Sequence, residues 1–160
     1  MSTYIPNSFQ TPNALVDELM PLLTSDEWRV LSYAVRHIMG WQDTISKRRR
    51  RLSLTMFEKG WGPYPGCGLS RPTIQKILNT LDHFGILVRV GEATNQGQEW
   101  EIAFDTSRIH IDALMERQTA RKSQEVHRIN QVKQARKDGK CDLPSVNAAN
   151  HCQLMPLTDT

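Results

Sequence analysis

The stretch SRPTIQKILNTLDHFGILVRV, residues 70–90, decides the fold. Ile74, Ile77, Leu78 and Leu81 recur at the three- and four-residue spacing of a helix buried on one side. Ser70 stands where a capping hydroxyl belongs, and Gly85 is placed to end the helix in a left-handed conformation. Leu87 to Val90 then reads as a strand. The inward positions leave Arg71, Gln75, Lys76, Asn79 and His83 outside, with Thr73 near the leading edge.

Toward the carboxyl terminus, a polar turn from Gly91 to Gln98 leads to Trp100, Ile102 and Phe104, which alternate with Glu101 and Ala103 as a half-buried strand should. The two strands predict a hairpin. Ile111 to Lys137 is rich in helix formers and lacks Gly and Pro, but its apolar face (Leu114, Met115, Val126, Ile129, Val132) is thin. After Gly139 the composition turns to Pro, Asn, Ser and Thr without a period, which reads as a disordered tail.

Toward the amino terminus, Trp61 to Gly68 holds three glycines and two prolines and reads as a loop. Thr55 is placed to cap a short helical piece ending near Gly60, and Arg51 to Leu54 alternates as a short strand. Trp28, Leu31, Val35, Ile38 and Met39 predict an amphipathic helix capped within Thr24–Asp26 and ended at Gly40. A further short helix is expected from Thr11-Pro12 to near Pro21.

The order helix, strand, helix, helix, strand, strand is that of a winged helix-turn-helix. The expected fold is therefore mainly α with a small β-hairpin, followed by a carboxyl-terminal helix and a disordered tail. The domain limits read as 1–105 for the winged helix, 106–138 for the basic helix and 139–160 for the tail. At 160 residues, 39% hydrophobic and 23% charged, the chain accommodates one domain with an appendage, not two large domains.

In a winged helix the last helix enters the DNA major groove. Arg71 and Lys76 can donate to guanine, Gln75 and Asn79 can pair with adenine, and Ser70 can bond a phosphate near the helix amino terminus. Any surface helix has a polar face, but this one carries no Asp or Glu between Ser70 and Leu81, as a surface facing phosphates requires. The candidate DNA-binding residues are Ser70, Arg71, Thr73, Gln75, Lys76, Asn79 and Arg89, joined by the run Lys47, Arg48, Arg49, Arg50, Arg51 as phosphate contacts. Affinity is expected from that run and the wing, and specificity from the helix. The expected partner is double-stranded DNA.

Bulk charge does not decide this. The chain totals 20 Lys and Arg against 17 Asp and Glu. Residues 1–105 carry 11 of each sign, and the excess lies beyond them, at 9 basic against 6 acidic. Trp61 and Tyr64 could stack on a base, although aromatic residues in a Pro/Gly loop more often pack down to hold it, and Trp28, Trp41 and Trp100 read as core.

Other chemistry is not indicated. Cys67, Cys141 and Cys152 form neither a disulfide framework nor a paired metal motif, and the five histidines lack ligand spacing. No phosphate-binding loop, nucleophile elbow or zinc-protease motif occurs, so neither an enzyme nor a metal or other cofactor is expected. No apolar stretch is long enough to cross a bilayer and Met1–Gln10 lacks a secretory core, which predicts a cytoplasmic protein without membrane contact.

From Thr11 to Val90 the chain resembles the amino-terminal winged-helix family of phage replication protein O. The resemblance rests on Thr11-Pro12-Asn13, on Glu27, Val30-Leu31, Arg36 and Gly40-Trp41, and on Leu52-Ser53-Leu54 with Phe57-Glu58-Lys59-Gly60. It continues through Gly68-Leu69-Ser70-Arg71, Thr73-Ile74, Leu78, Leu81 and Gly85-Ile86-Leu87. The Trp61–Cys67 insertion and Met39, where the family often has Thr, depart from the pattern. The resemblance implies a replication initiator of phage or plasmid type that binds iterated origin sites. It also implies recruitment of replication machinery, a helicase or its loader, through the carboxyl-terminal region. A transcriptional repressor and a non-enzymatic interaction adaptor are the alternatives, and a homodimer is left open.

Overall fold

The computed structural model describes residues 11–40, 48–103 and 106–137. Its elements are α1 (Ser25–Met39), β1 (Arg49–Leu52), α2 (Leu54–Lys59), α3 (Arg71–His83), β2 (Leu87–Thr94), β3 (Gly97–Ile102) and α4 (Ile111–Lys137). Short helical turns precede α1 at Leu15–Leu22 and α4 at Thr106–Arg108. The three strands form one antiparallel sheet in the order β1-β3-β2. This is the winged helix-turn-helix with its following helix, as the sequence predicts. Trp41, Lys47, Phe104 and the expected tail, 139–160, lie outside the described residues.

Local chemistry explains the boundaries. The Thr24 hydroxyl accepts from the Glu27 N–H at 3.2 Å while the Glu27 carboxylate accepts from the Thr24 N–H at 2.8 Å, a reciprocal cap that starts α1. Helix α3 ends at Gly85, whose φ of +70° lets the Ile86 N–H reach the Leu81 carbonyl and the Gly85 N–H the Asp82 carbonyl, both at 2.9 Å. A Cβ there would stand 2.5 Å from the Arg108 carbonyl oxygen, so glycine is needed twice over.

Several boundaries differ from the sequence reading. Strand β1 begins at Arg49 and stops at Leu52, because Ser53 rather than Thr55 caps α2, its hydroxyl accepting from the Met56 N–H at 3.2 Å. The expected turn from Gly91 to Gln98 is mostly strand, with β2 running through a register shift between Val90 and Thr94, Thr94 opposite Gly97 and only Asn95-Gln96 at the tip. The Gln98 side-chain amide supports this ribbon by donating to the Val90 and Gly91 carbonyls at 3.0 and 3.2 Å. The first helix opens into a wide turn at Leu15–Leu19 and then tightens at Met20–Leu22, where Pro21 brings no N–H.

One core joins these elements. Val30, Leu31 and Ile38 of α1, Phe57 of α2, Ile74 and Leu81 of α3, and Leu87 and Ile102 of the hairpin are all at most 2% exposed. Trp28 packs at its edge and Trp100 is buried. The first compact unit extends through Ala120, past the expected limit at Asp105, because Ile109 and Leu114 enter the same core. In this unit the Arg117 guanidinium meets the Glu27 carboxylate with two hydrogen bonds, at 2.8 and 3.0 Å. The second unit begins at Arg121. Its described helical residues leave Val126, Ile129 and Val132 exposed.

Candidate nucleic-acid interface

Helix α3 turns Ile74, Ile77, Leu78 and Leu81 into the core, so the opposite stripe must face outward. Ser70, Arg71, Gln75, Lys76, Asn79 and His83 are exposed, as expected, and Thr73 is half-buried at the margin. Ser70 holds the extended capping conformation, but its hydroxyl meets the Thr73 hydroxyl at 2.8 Å instead of a backbone N–H. The first turn of α3 contains Pro72 and no carboxylate. Its free N–H groups therefore keep their partial positive charge available to an anion.

The wing closes one side of this face. A cleft of about 290 Å³ runs between them, with Arg71 and Leu78 on the α3 side and Thr94, Asn95 and Gln98 on the wing side. Arg89 fixes the spacing. Its guanidinium donates to the Asn79 side-chain amide oxygen, Oδ1, and lies 3.4 Å from the Asp82 carboxylate, to which its backbone N–H donates at 3.0 Å. It also stacks over Trp100, 5.4 Å from the ring centre. Arg89 was expected as a DNA contact; the structure engages its side chain between wing and helix, where it orients Asn79.

The basic run is distributed differently from the expectation of one phosphate-binding patch. A strand alternates its side chains, so Arg50 shares a face with Trp100, while Arg49 and Arg51 lie opposite Glu101 and Glu99 on the other face. Arg50 donates inward to the His37 carbonyl at 3.0 Å and stacks on Trp61 at 5.4 Å. Arg51 donates to the Thr94 hydroxyl and, at 3.3 Å, to the Gly97 carbonyl, holding the wing to β1. Arg48 and Arg49 are exposed, Arg48 at a positive φ of 52°. Lys47 lies outside the described residues. The wing adds little positive charge either, since Glu92, Glu99 and Glu101 accompany Arg89.

The Trp61–Cys67 insertion closes on itself but leaves residues 61–65 exposed, with only Cys67 buried. Trp61 and Tyr64 exchange backbone hydrogen bonds at 3.0 and 3.1 Å, and Arg36 and Arg50 lie over the Tyr64 and Trp61 rings. Both rings stay about two-fifths exposed, at 41% and 42%. Behind them His37 is buried, and burial first, then Arg50 and Arg36, lowers its pKa to about 4. Burial likewise pushes the Cys67 thiol up to about 11, which keeps it protonated and unreactive.

Sequence reasoning missed two structural participants. Arg117 borders the outer face of α3 beside Gln75, Lys76 and His83, with its charge met by Glu27 and its guanidinium 4.5 Å from the centre of the Phe84 ring. Gln98 shapes the wing. A separation of 90 residues hides the first from any periodicity argument, and a polar residue in a polar stretch hides the second.

Among the described residues no group of three or more His, Cys, Asp or Glu side chains could hold a metal ion, and no helix is long and apolar enough to cross a membrane. In comparisons with known proteins, the chain matches no family model, no curated protein and no solved structure.

Proposed function

We propose that this chain binds double-stranded DNA sequence-specifically, without catalysis, by placing α3 in the major groove. One observation carries the reading: the outer face of α3 presents Arg71, Gln75, Lys76 and Asn79, a set of base-reading side chains without a carboxylate, beside a cleft bounded by the wing. Cations and amides can bond base edges, whereas an unpaired carboxylate would be repelled by phosphates. The lowered freedom of Asn79, held by Arg89, favours a fixed bidentate contact over an adaptable one.

The finer reading is an origin-binding replication initiator of phage or plasmid type that works in the cytoplasm and contacts a helicase or its loader. It rests on the resemblance to replication protein O over residues 11–90. Repression is the neighbouring role, distinguished by a site overlapping the chain's own promoter instead of iterated sites. Selection from a random duplex pool tests the binding itself. One enriched motif is expected, and a pool that stays random after several rounds would overturn the reading in favour of an interaction adaptor.

A further inference from the structure

The winged-helix unit spends much of its positive charge internally. Arg50 and Arg51 donate to backbone carbonyls, Arg89 meets Asp82 and Arg117 meets Glu27. Residues 121–137 carry six cations (Arg121, Lys122, Arg128, Lys133, Arg136, Lys137) against one carboxylate, Glu125. Glu125 lies 3.9 Å from Arg128 with both side chains largely exposed, so it neutralises little.

These charges are segregated. At 3.6 residues per turn, Arg121, Lys122, Arg128 and Lys133 fall on the same half of the helix as Val126, Ile129 and Val132. The other half, with Ser123, Gln124, His127, Asn130, Gln131 and Gln134, carries no Lys, Arg, Asp or Glu. A helix built only for solubility mixes both signs and gains from Glu–Lys pairs four apart. This one gathers its cations on one side, with Glu125 the one carboxylate among them, a surface whose net positive charge suits a polyanion.

We infer that the cationic half of residues 121–137 grips the phosphate backbone of duplex DNA without regard to sequence, a second contact beyond base reading by α3. The choice of DNA as the polyanion rests on the reading under Proposed function. A second copy of the chain is disfavoured, because two such faces would bring like charges together. A membrane surface is disfavoured as well, because the stripe offers three β-branched residues and none of the Trp, Phe or Leu side chains that anchor interfacial helices.

The test uses the full chain, a random-sequence duplex and a salt series from 50 to 200 mM. Lys122, Arg128 and Lys133 are exposed, so Lys122→Gln/Arg128→Gln/Lys133→Gln leaves the core intact, and circular dichroism checks that helicity is kept. The triple variant is expected to lose on the order of tenfold or more in affinity, with a salt slope flatter by about 2–3, while Lys122→Arg/Arg128→Lys/Lys133→Arg behaves as wild type. An unchanged slope overturns the inference. So does triple-dependent binding to phosphatidylserine vesicles or polyglutamate with duplex affinity unaffected. A flattened slope with no base preference in the wild type upholds this grip and sinks base reading by α3. Retained preference with an unmoved slope does the opposite, and no duplex binding at all overturns both.

Discussion

Arg117 reaches across 90 residues to clasp Glu27, both guanidinium Nη atoms on both carboxylate oxygens, with the two side chains only 19% and 7% exposed. The same carboxylate caps α1 through Thr24. One acidic residue thus holds the start of α1 and docks the first turns of α4 beside the outer face of α3.

Because removing one partner strands the other's charge in a poorly hydrated place, Arg117→Ala is expected to destabilise the fold by on the order of 3 kcal/mol. The exposed Arg29–Asp26 contact, at 3.9 Å and about half exposed, provides the contrast, and Arg29→Ala is expected to change stability by less than about 0.5 kcal/mol. Urea midpoints of the two variants check this. Equal effects would mean that the buried pair does not organise the unit.

His37 should make stability depend on pH. Its Nδ1 has no hydrogen-bond partner and its ring packs against Tyr33, at 4.4 Å, so the neutral imidazole belongs to the folded state. With its folded pKa lowered to about 4, the contribution is fully present above the unfolded value of about 6.5. It is lost progressively as pH falls between those two values, because the unfolded chain takes up the proton first. Urea midpoints at pH 7.5, 6 and 5 should decline for wild type and stay nearly level for His37→Gln. Parallel declines would place the titration elsewhere.

Arg50 separates a structural cation from a phosphate contact. Its hydrogen bond to the His37 carbonyl and its stacking on Trp61 predict that Arg50→Ala lowers stability by about 1–3 kcal/mol and leaves the salt slope of DNA binding unchanged. Denaturation and a salt titration on the same preparation decide the matter. A slope reduced by about 0.9 with stability intact would return Arg50 to the phosphate rail.

The parts of this molecule that obey a simple period were legible in the sequence. Ile74, Ile77, Leu78 and Leu81 announce α3 and therefore its outward residues, Gly85 marks the end of the helix, and Trp100 with Ile102 shows the inward side of β3. The basic run was not legible as a site. Its residues look like one patch until pairing with β3 fixes the register, after which alternate arginines face opposite ways. The wing was underestimated for a related reason. Gly91 to Thr94 is exposed, so this stretch of β2 leaves no hydrophobic alternation to read. The partner of Arg117 is set by tertiary docking alone.

The most direct measurement compares base preferences at every position of the selected site for wild type and Gln75→Ala, an exposed residue on the outer face of α3. The expected result is a preference weakened by about 1–3 kcal/mol at one position, with the others and the salt slope retained. Uniform weakening on all sequences, or an unaltered preference throughout, would contradict base reading by the outer face of α3.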